Sequence, residues 1–427
     1  MSNAKRAVER LKTALIVLLV ASAFLLGWRT QLFNEIFTSI PFFGSVANLV
    51  RGASTTETGS SSIKEAARPF CIVITDESGG RYGVRYDTDA RNAVYDRTSS
   101  LIREALGSAS EPLEISEDEW RAALSVRGIY FEYTTPVKLS VLDGWLDIQR
   151  AAPISDLSLR RIFVSFSEDK TRIYFQDSES GLFYGADTAS SPVKAQELGI
   201  YSANETVFAF ETGIKAAEDA PYVVIMAGSD HPDVRAASAG SSEELLDIVL
   251  GAMGIRRNET STYYDSRGVL ICVGTQFNIR VDTLGRVFYR RTDGQPPADM
   301  AQELSESEMI ESARVIIADT IAGSCGGAEV FFETLEERGS GESSSAYFTY
   351  YIAGGRVFLL ENEYAATISF TAGVVMELEL NFRSFTLSGE YTGLLPERQA
   401  LAAAGGEFML CYSDTGAERL QPAWTGR

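Results

Sequence analysis

The chain has 427 residues, 45% hydrophobic and 22% charged, which is ordinary globular usage and excludes a disordered or collagen-like chain. That length exceeds what one core usually supports, so more than one domain is expected. Fifty-eight acidic residues against thirty-eight basic ones leave a formal charge of −20, which disfavours nucleic acid as a partner and keeps the body off an anionic membrane face.

From Thr13 to Trp28 the run TALIVLLVASAFLLGW carries no charge and is bounded by Lys12 and Arg29. At 1.5 Å per residue it spans about 24 Å, a little under a ~30 Å hydrocarbon core, and snorkelling of Lys12 and Arg29 supplies the difference. Trp28 stands where an interfacial aromatic belongs. Lys5, Arg6, Arg10 and Lys12 precede the span with Glu9 alone opposing them. Residues 1–12 are therefore expected to be a cytoplasmic tail and the body to be extracytoplasmic, in a single-pass cell-membrane protein. A cleaved signal peptide has the same outline, with Ala21-Ser22-Ala23 as its cleavage site. Cutting there would leave Phe24-Leu25-Leu26 at the new end, which favours a retained anchor. Partner contacts are expected along this helix, at Leu15, Leu19, Ala23, Gly27 and Trp28. Ala23 and Gly27 form a small-xxx-small pair that lets another helix approach, although lipid-facing filler explains that pair equally well.

Beyond the span, Leu32, Phe33, Ile36, Phe37 and Ile40 recur at helical spacing up to Pro41. The stretch GASTTETGSSS at 52–62 has linker composition. Residues 29–65 thus read as stalk and linker, and a first α+β domain is expected over 66–240. In it FCIVITD and RYGVRYD flank Gly79-Gly80 as a hairpin. A helix follows over 91–106, and a second opens at Ser116, with Glu119 at capping-box spacing. Strands are expected at 128–134, 160–167, 171–177 and 181–187, alternating as a sheet with one wet face.

Ala236 to Ser242, AASAGSS, is the expected boundary. A second α+β region, 241–427, then opens with a helix over 243–253 and a meander between 262 and 292. Ser305 and Glu308 form a capping box at the head of a helix running to Ala322. Strands resume in EVFFETLEE, AYFTYYIAG, GRVFLLENE, ATISFTAG and VVMELELNF. Gly285-Arg286-Val287-Phe288 is echoed by Gly355-Arg356-Val357-Phe358, which marks either a duplicated subdomain or two similar hairpins. The fold class is α+β, with mainly antiparallel sheets and helices packed on them.

Chemistry-bearing motifs are scarce. The single histidine, His231 in GSDHPDV, rules out a histidine-rich metal site, and its proline-flanked setting reads as an exposed loop. The four cysteines, Cys71, Cys272, Cys325 and Cys411, include no C-x-x-C pair. Cys71, Cys272 and Cys411 sit in apolar runs and read as buried free thiols. Cys325, in GSCGG, is the one loop-like thiol and the only conceivable partner for a Cys-His dyad. No G-x-S-x-G elbow, Walker loop or G-x-G-x-x-G occurs. Asp87-Thr88-Asp89 starts like a calcium loop, but Arg91 stands where an acid or amide is needed, Asn92 where a glycine is, and Thr98 in place of the closing glutamate. The acids Glu114, Glu117, Asp118 and Glu119 are explained by a helix start. Fifty-eight acids always contain a pair at glycosidase spacing, but no cofactor, metal or catalytic residue is indicated, and the expected class is non-enzymatic.

The basic start and span RLKTALIVLLVASAFLLGW, the run from PFCIVITDESGGRYGVRY through ISEDEWRAAL to GIYFEYTTPVKLSVLDGWL, and the C-terminal YFTYYIAGGRVFLLENEYAATISFTAGVVMELELNFRSF, LLPERQALAAAGG and LCYSD resemble the YycH/YycI family. These are membrane-anchored regulators of the cell-wall two-component system of Gram-positive bacteria. The resemblance implies a chain without catalytic residues that modulates a sensor histidine kinase. Its partners would be the lipid bilayer, that kinase and a related anchored regulator, with the span 13–28 as the binding element. A tethered extracellular module for cell-wall polymer or peptide is the alternative.

Overall fold

Three hairpins share the turn D-x-x-G, for a local reason. In each the aspartate carboxylate accepts two backbone N–H groups across the turn, and the glycine takes the left-handed conformation that closes it. Asp76 accepts from Ser78 (2.7 Å) and Gly80 (2.9 Å), Asp265 from Arg267 (2.8 Å) and Val269 (3.0 Å), and Asp282 from Leu284 (2.8 Å) and Arg286 (2.9 Å). The φ angles of Gly79, Gly268 and Gly285 are 83°, 78° and 87°.

The computed structural model describes residues 66–150, 156–167, 170–191, 198, 200–293, 304–338, 343–359 and 364–426. The span, stalk and linker, with Leu15, Leu19, Ala23, Gly27 and Trp28, lie outside the described residues. Among the described residues no helix is long and apolar enough to cross a membrane.

The first sheet contains β1 (Cys71–Thr75), β2 (Arg81–Val84), β3 (Leu113–Ile115), β4 (Gly128–Lys138), β5 (Ser158–Phe166), β6 (Thr171–Asp177) and β7 (Phe183–Thr188), in the order β2-β1-β4-β5-β6-β7-β3. All its pairings are antiparallel. It is buried on both faces, which is why CIVIT reads as a continuous apolar run and not an alternating one. Ile72, Ile74, Ile129, Phe131, Ile162 and Val164 meet α1 (Thr88–Gly107) and α3 (Leu139–Trp145). On the other face Val73, Tyr130, Phe163 and Tyr174 meet Trp120 of α2 (Glu117–Ala123) and Phe208, Tyr222 and Val224 of the following segment. That segment forms a small ribbon, β8 (Val207–Phe208) with β9 (Val224–Ile225). The expected one wet face is thus covered, in part by a stretch with almost no regular structure.

Ala236–Ser238 end a strand, β10 (Asp230–Ser238), and α4 (Ser242–Ala252) starts four residues later on a full capping box between Ser241 and Glu244. β10 is the centre of a three-stranded sheet between β20 (Arg383–Gly393) and β22 (Arg419–Leu420), so it belongs with the C-terminal elements.

The largest sheet has eleven strands. The expected meander is present as β11 (Ser261–Tyr264), β12 (Leu270–Val273), β13 (Phe277–Val281) and β14 (Arg286–Arg291). β14 then pairs with β19 (Val374–Asn381), followed by β18 (Ala366–Thr371), β16 (Ser343–Ile352), β17 (Gly355–Leu359), β21 (Phe408–Asp414) and β23 (Pro422–Gly426), and β15 (Glu329–Arg338) flanks β16. Within it only β17 and β21 run parallel. One face buries Leu270, Ile279, Val287, Leu378 and Ile368 against Leu246 and Val249 of α4 and Ile316 and Ile317 of α5 (Glu306–Asp319). α5 opens on the expected reciprocal box, with Ser305 N–H donating to Glu308 at 2.8 Å. The opposite face of β12–β13–β14–β19–β18 is polar. The α+β class with mainly antiparallel sheets is therefore observed. A last helix, α6 (Glu397–Ala404), lies between β20 and β21 and ends at Gly405 with φ 71°.

Candidate functional site

Two acids flank helix α6, buried Glu397 in its first turn and half-buried Glu407 just past its end, and residues in or next to the first sheet hold both. Glu397, 1% exposed, accepts a hydrogen bond from the Tyr86 hydroxyl and another from the Met226 N–H at 2.9 Å. Arg85 donates to the Val224 carbonyl at 2.9 Å and to the Tyr86 oxygen at 3.2 Å. Glu407, just past the helix, accepts from Arg160 at 2.8 Å and Arg161 at 2.6 Å, and Arg160 also reaches Glu132 of β4 at 3.2 Å. Arg160 and Arg161 are adjacent on β5, yet a register shift at that point lets both guanidinium groups converge on one carboxylate.

The two acids are tuned in opposite directions. Burial raises the Glu397 carboxyl above its usual range, although Arg85 and Tyr86 pull the other way. Burial also opposes ionisation of Glu407, but Arg160 and Arg161 overcome it and hold the carboxyl at about 2. Burial, reinforced by the charge of Glu397, pushes the Tyr86 hydroxyl well above its ordinary value, which keeps it a donor. These contacts fasten the C-terminal elements to the bend that follows β2 and to β5.

His231 is corrected by the structure. It lies on β10, not in a loop, is 4% exposed, and packs edge-on against Tyr86 (4.7 Å) and Trp424 (5.2 Å). Burial lowers it to about 4, and its Nε2 atom has no hydrogen-bond partner among the described residues. Pro232 is accommodated because β10 bulges there, between Pro232 and Val234.

Cys325 is also buried, contrary to its glycine-rich setting. Its sulfur lies 2.9 Å from the Ala328 carbonyl and 3.1 Å from that of Ala322, and burial pushes the thiol up to about 11. His231 and Cys325 thus have separate surroundings and form no dyad. All four cysteines are free and buried, as three of them were expected to be, and burial raises Cys71 to about 12. Asp87 is the N-cap of α1, accepting from Ala90 N–H at 2.9 Å, which explains the calcium-like start without a metal. Glu117 and Glu119 sit in the first turn of α2 and pair with Arg121 (2.7 Å) and Arg172 (3.2 Å). No group of acids, histidines and cysteines among the described residues could hold a metal ion.

Sequence reasoning passed over Tyr86, Arg85, Glu397 and Glu407. The one available signal was an acid at each end of a short alanine-rich helix, and nothing in composition separates such acids from solvated ones.

No family model and no curated protein matches the chain. Among solved structures it is similar to YycH from Bacillus subtilis, with a TM-score of 0.56 and 13% identity over 87% of this chain and 95% of that one. An uncharacterized protein from Eubacterium rectale is matched over 46% of this chain and 76% of its own, at 13% identity and a TM-score of 0.33, too low to bear on the fold. The fold is YycH-like.

Proposed function

We propose that the chain is a membrane-anchored, extracytoplasmic regulator that modulates a sensor histidine kinase. The observation that carries this reading is the likeness to YycH, which takes in 87% of this chain and 95% of that one. The uncharged run Thr13–Trp28 supports the anchor, with Leu15, Leu19, Ala23, Gly27 and Trp28 as the contact positions and a related anchored regulator as a further partner. The clasp around α6 suits such a role, because it ties the C-terminal elements to the bend after β2 and to β5 and thereby makes the body one lever. A coupling of ~1–3 kcal/mol between kinase states is enough for regulation. A role without catalysis is supported by the setting of the groups a nucleophilic mechanism would recruit, since His231 and the four thiols are buried.

The test uses the full chain in its membrane, with a photo-crosslinking residue placed in turn at Leu15, Leu19 and Ala23. Recovery of a histidine kinase in the crosslinked product is the expected result. Unchanged regulation after the span is exchanged for an unrelated apolar helix, or release of the chain trimmed near residue 23, would overturn the reading.

A further inference from the structure

The eleven-stranded sheet ends on one side at β11, and that edge is open. Among the described residues β11 pairs with β12 alone, and all four of its residues are exposed, Tyr263 and Tyr264 by more than half. No lysine, proline or bulge blunts it. The Asp265 N–H donates to the Val269 carbonyl at 3.0 Å and closes the hairpin. Bonding alternates from there, so Ser261 and Tyr263 spend their backbone groups on β12, while the N–H and C=O groups of Thr262 and Tyr264 point away from the sheet.

The free stretch has fixed ends. The Thr260 N–H is taken by the Arg257 carbonyl at 3.3 Å, and the chain turns away after Asp265. A long extended peptide overruns both ends, whereas a second β11 laid antiparallel stops where the free groups stop. Thr262 of each copy then pairs with Tyr264 of the other, which satisfies the outward groups of both residues, and Tyr263 faces itself across a two-fold axis. Charge selects this register. Residues 256–267 carry Arg256, Arg257 and Arg267 against Glu259 and Asp265 in a chain with a formal charge of −20, so two copies meet here with little repulsion. Arg257 is held by Glu243 and Asp247 of α4, while Arg256 reaches Glu259 only at 3.8 Å and Arg267 reaches Asp265 only at 3.5 Å. The register brings Glu259 of one copy to Arg267 of the other. A slip of two residues toward the strand start sets Glu259 against Asp265 and Arg257 against Arg267, like charges in both cases.

We infer that two copies of the chain join edge to edge through β11, antiparallel about a two-fold axis at Tyr263, and so merge their large sheets into one. Four backbone hydrogen bonds and the facing Tyr263 rings hold the seam, and the Glu259 and Arg267 pairs at its two ends fix the register. This inference goes beyond the kinase reading and does not depend on it.

Sedimentation equilibrium and cysteine crosslinking of the full chain in detergent micelles test it. Tyr263→Cys sets two thiols across a non-hydrogen-bonded pair, where Cα atoms lie about 4.5 Å apart and within disulfide reach. Oxidation by copper phenanthroline should give a covalent dimer of this variant, and none of the wild type, whose four thiols are buried. Ser261→Cys stands two residues off the axis, which separates its thiols by roughly 14 Å, and should give none. Thr262→Pro removes an outward N–H without touching the β12 ladder, so it should weaken self-association by about tenfold at an unchanged melting temperature. Glu259→Arg should also weaken it, and adding Arg267→Glu should restore it. A monomeric wild type, no dimer from Y263C, equal crosslinking by S261C, equal association by T262P, or oxidation in native membranes that joins Y263C to a different protein would overturn the proposal.

Discussion

Tyr86 donates its hydroxyl hydrogen to Glu397 across 311 positions of sequence, and the bond closes one end of the clasp between the bend after β2 and α6. Glu397 is 1% exposed, Tyr86 is half-buried, and the Met226 N–H occupies the second carboxylate oxygen, so the acid has no exposed alternative partner. Removing one member of such a pair strands the other. Tyr86→Phe and Glu397→Ala should each lower unfolding stability by about 1–3 kcal/mol, measured as urea midpoints of the full chain in micelles. Glu397→Gln keeps the shape and one acceptor and should cost less than either. Because the folded carboxyl titrates above its ordinary range, the wild type binds the extra proton when folded, and stability should decline as pH rises above about 4.5. E397Q should lose that decline, and an unchanged slope would exclude Glu397 as its source.

His231 sets a slope of the opposite sign. Its folded value is about 4 against 6.5 for a free imidazole, so the unfolded chain takes up the proton first. The neutral ring therefore contributes fully above pH 6.5, and that contribution fades as pH falls toward 4. Integrated over the window it amounts to about 3 kcal/mol. The groups around the ring are the Tyr86 hydroxyl, Trp424, Asp230 and Arg85, of which Arg85 adds to the lowering and Asp230 opposes it. His231→Gln should flatten the melting temperature between pH 6.5 and 4, and a variant that keeps the full acid slope would assign it elsewhere.

How far these sites could be read from sequence depended on range. The helix starts at Ser116 and Ser305 were visible because a cap is written within four residues, and the meander between 262 and 292 because alternation is local. Cys71, Cys272 and Cys411 were placed correctly from the apolar runs around them. His231 was misplaced because Pro232 signals a loop unless a bulge excuses its missing N–H, and that bulge is set by pairing with β20, some 150 positions later. The clasp was invisible for the same reason, since Arg160 and Glu407 are 247 positions apart.

Gly354 tests the clasp from a third side. It lies in the turn between β16 and β17 with φ +69°, and a Cβ there would stand 2.7 Å from Cδ1 of Tyr86 and 3.1 Å from the Arg85 carbonyl oxygen. Gly389, with φ +80°, has nothing within 4 Å. Alanine at either position incurs the left-handed penalty of about 1–2 kcal/mol, but only Gly354→Ala adds a collision with backbone that cannot yield. G354A should therefore lower the melting temperature distinctly more than G389A, and near-equal losses would show that the Tyr86 contact is soft.

Glu407 gives the far end of the clasp an acid limit. Its carboxyl is held at about 2 by Arg160 and Arg161 against the cost of burial, whereas the unfolded chain protonates near 4.5. The stabilisation is present above pH 4.5 and disappears as pH falls toward 2, the reverse of Glu397 and lower in pH than His231. Glu407→Gln removes the charge at constant shape and leaves two buried guanidinium groups sharing Glu132 alone, which should cost about 2–4 kcal/mol at pH 7. Since the variant has nothing left to protonate there, its disadvantage should shrink below pH 4. Replacing both arginines by methionine in the E407Q background removes the uncompensated charges and should restore part of the loss. If E407Q matched the wild type at pH 7, the ion pairs would be solvated contacts and the clasp would rest on Tyr86 and Glu397 alone.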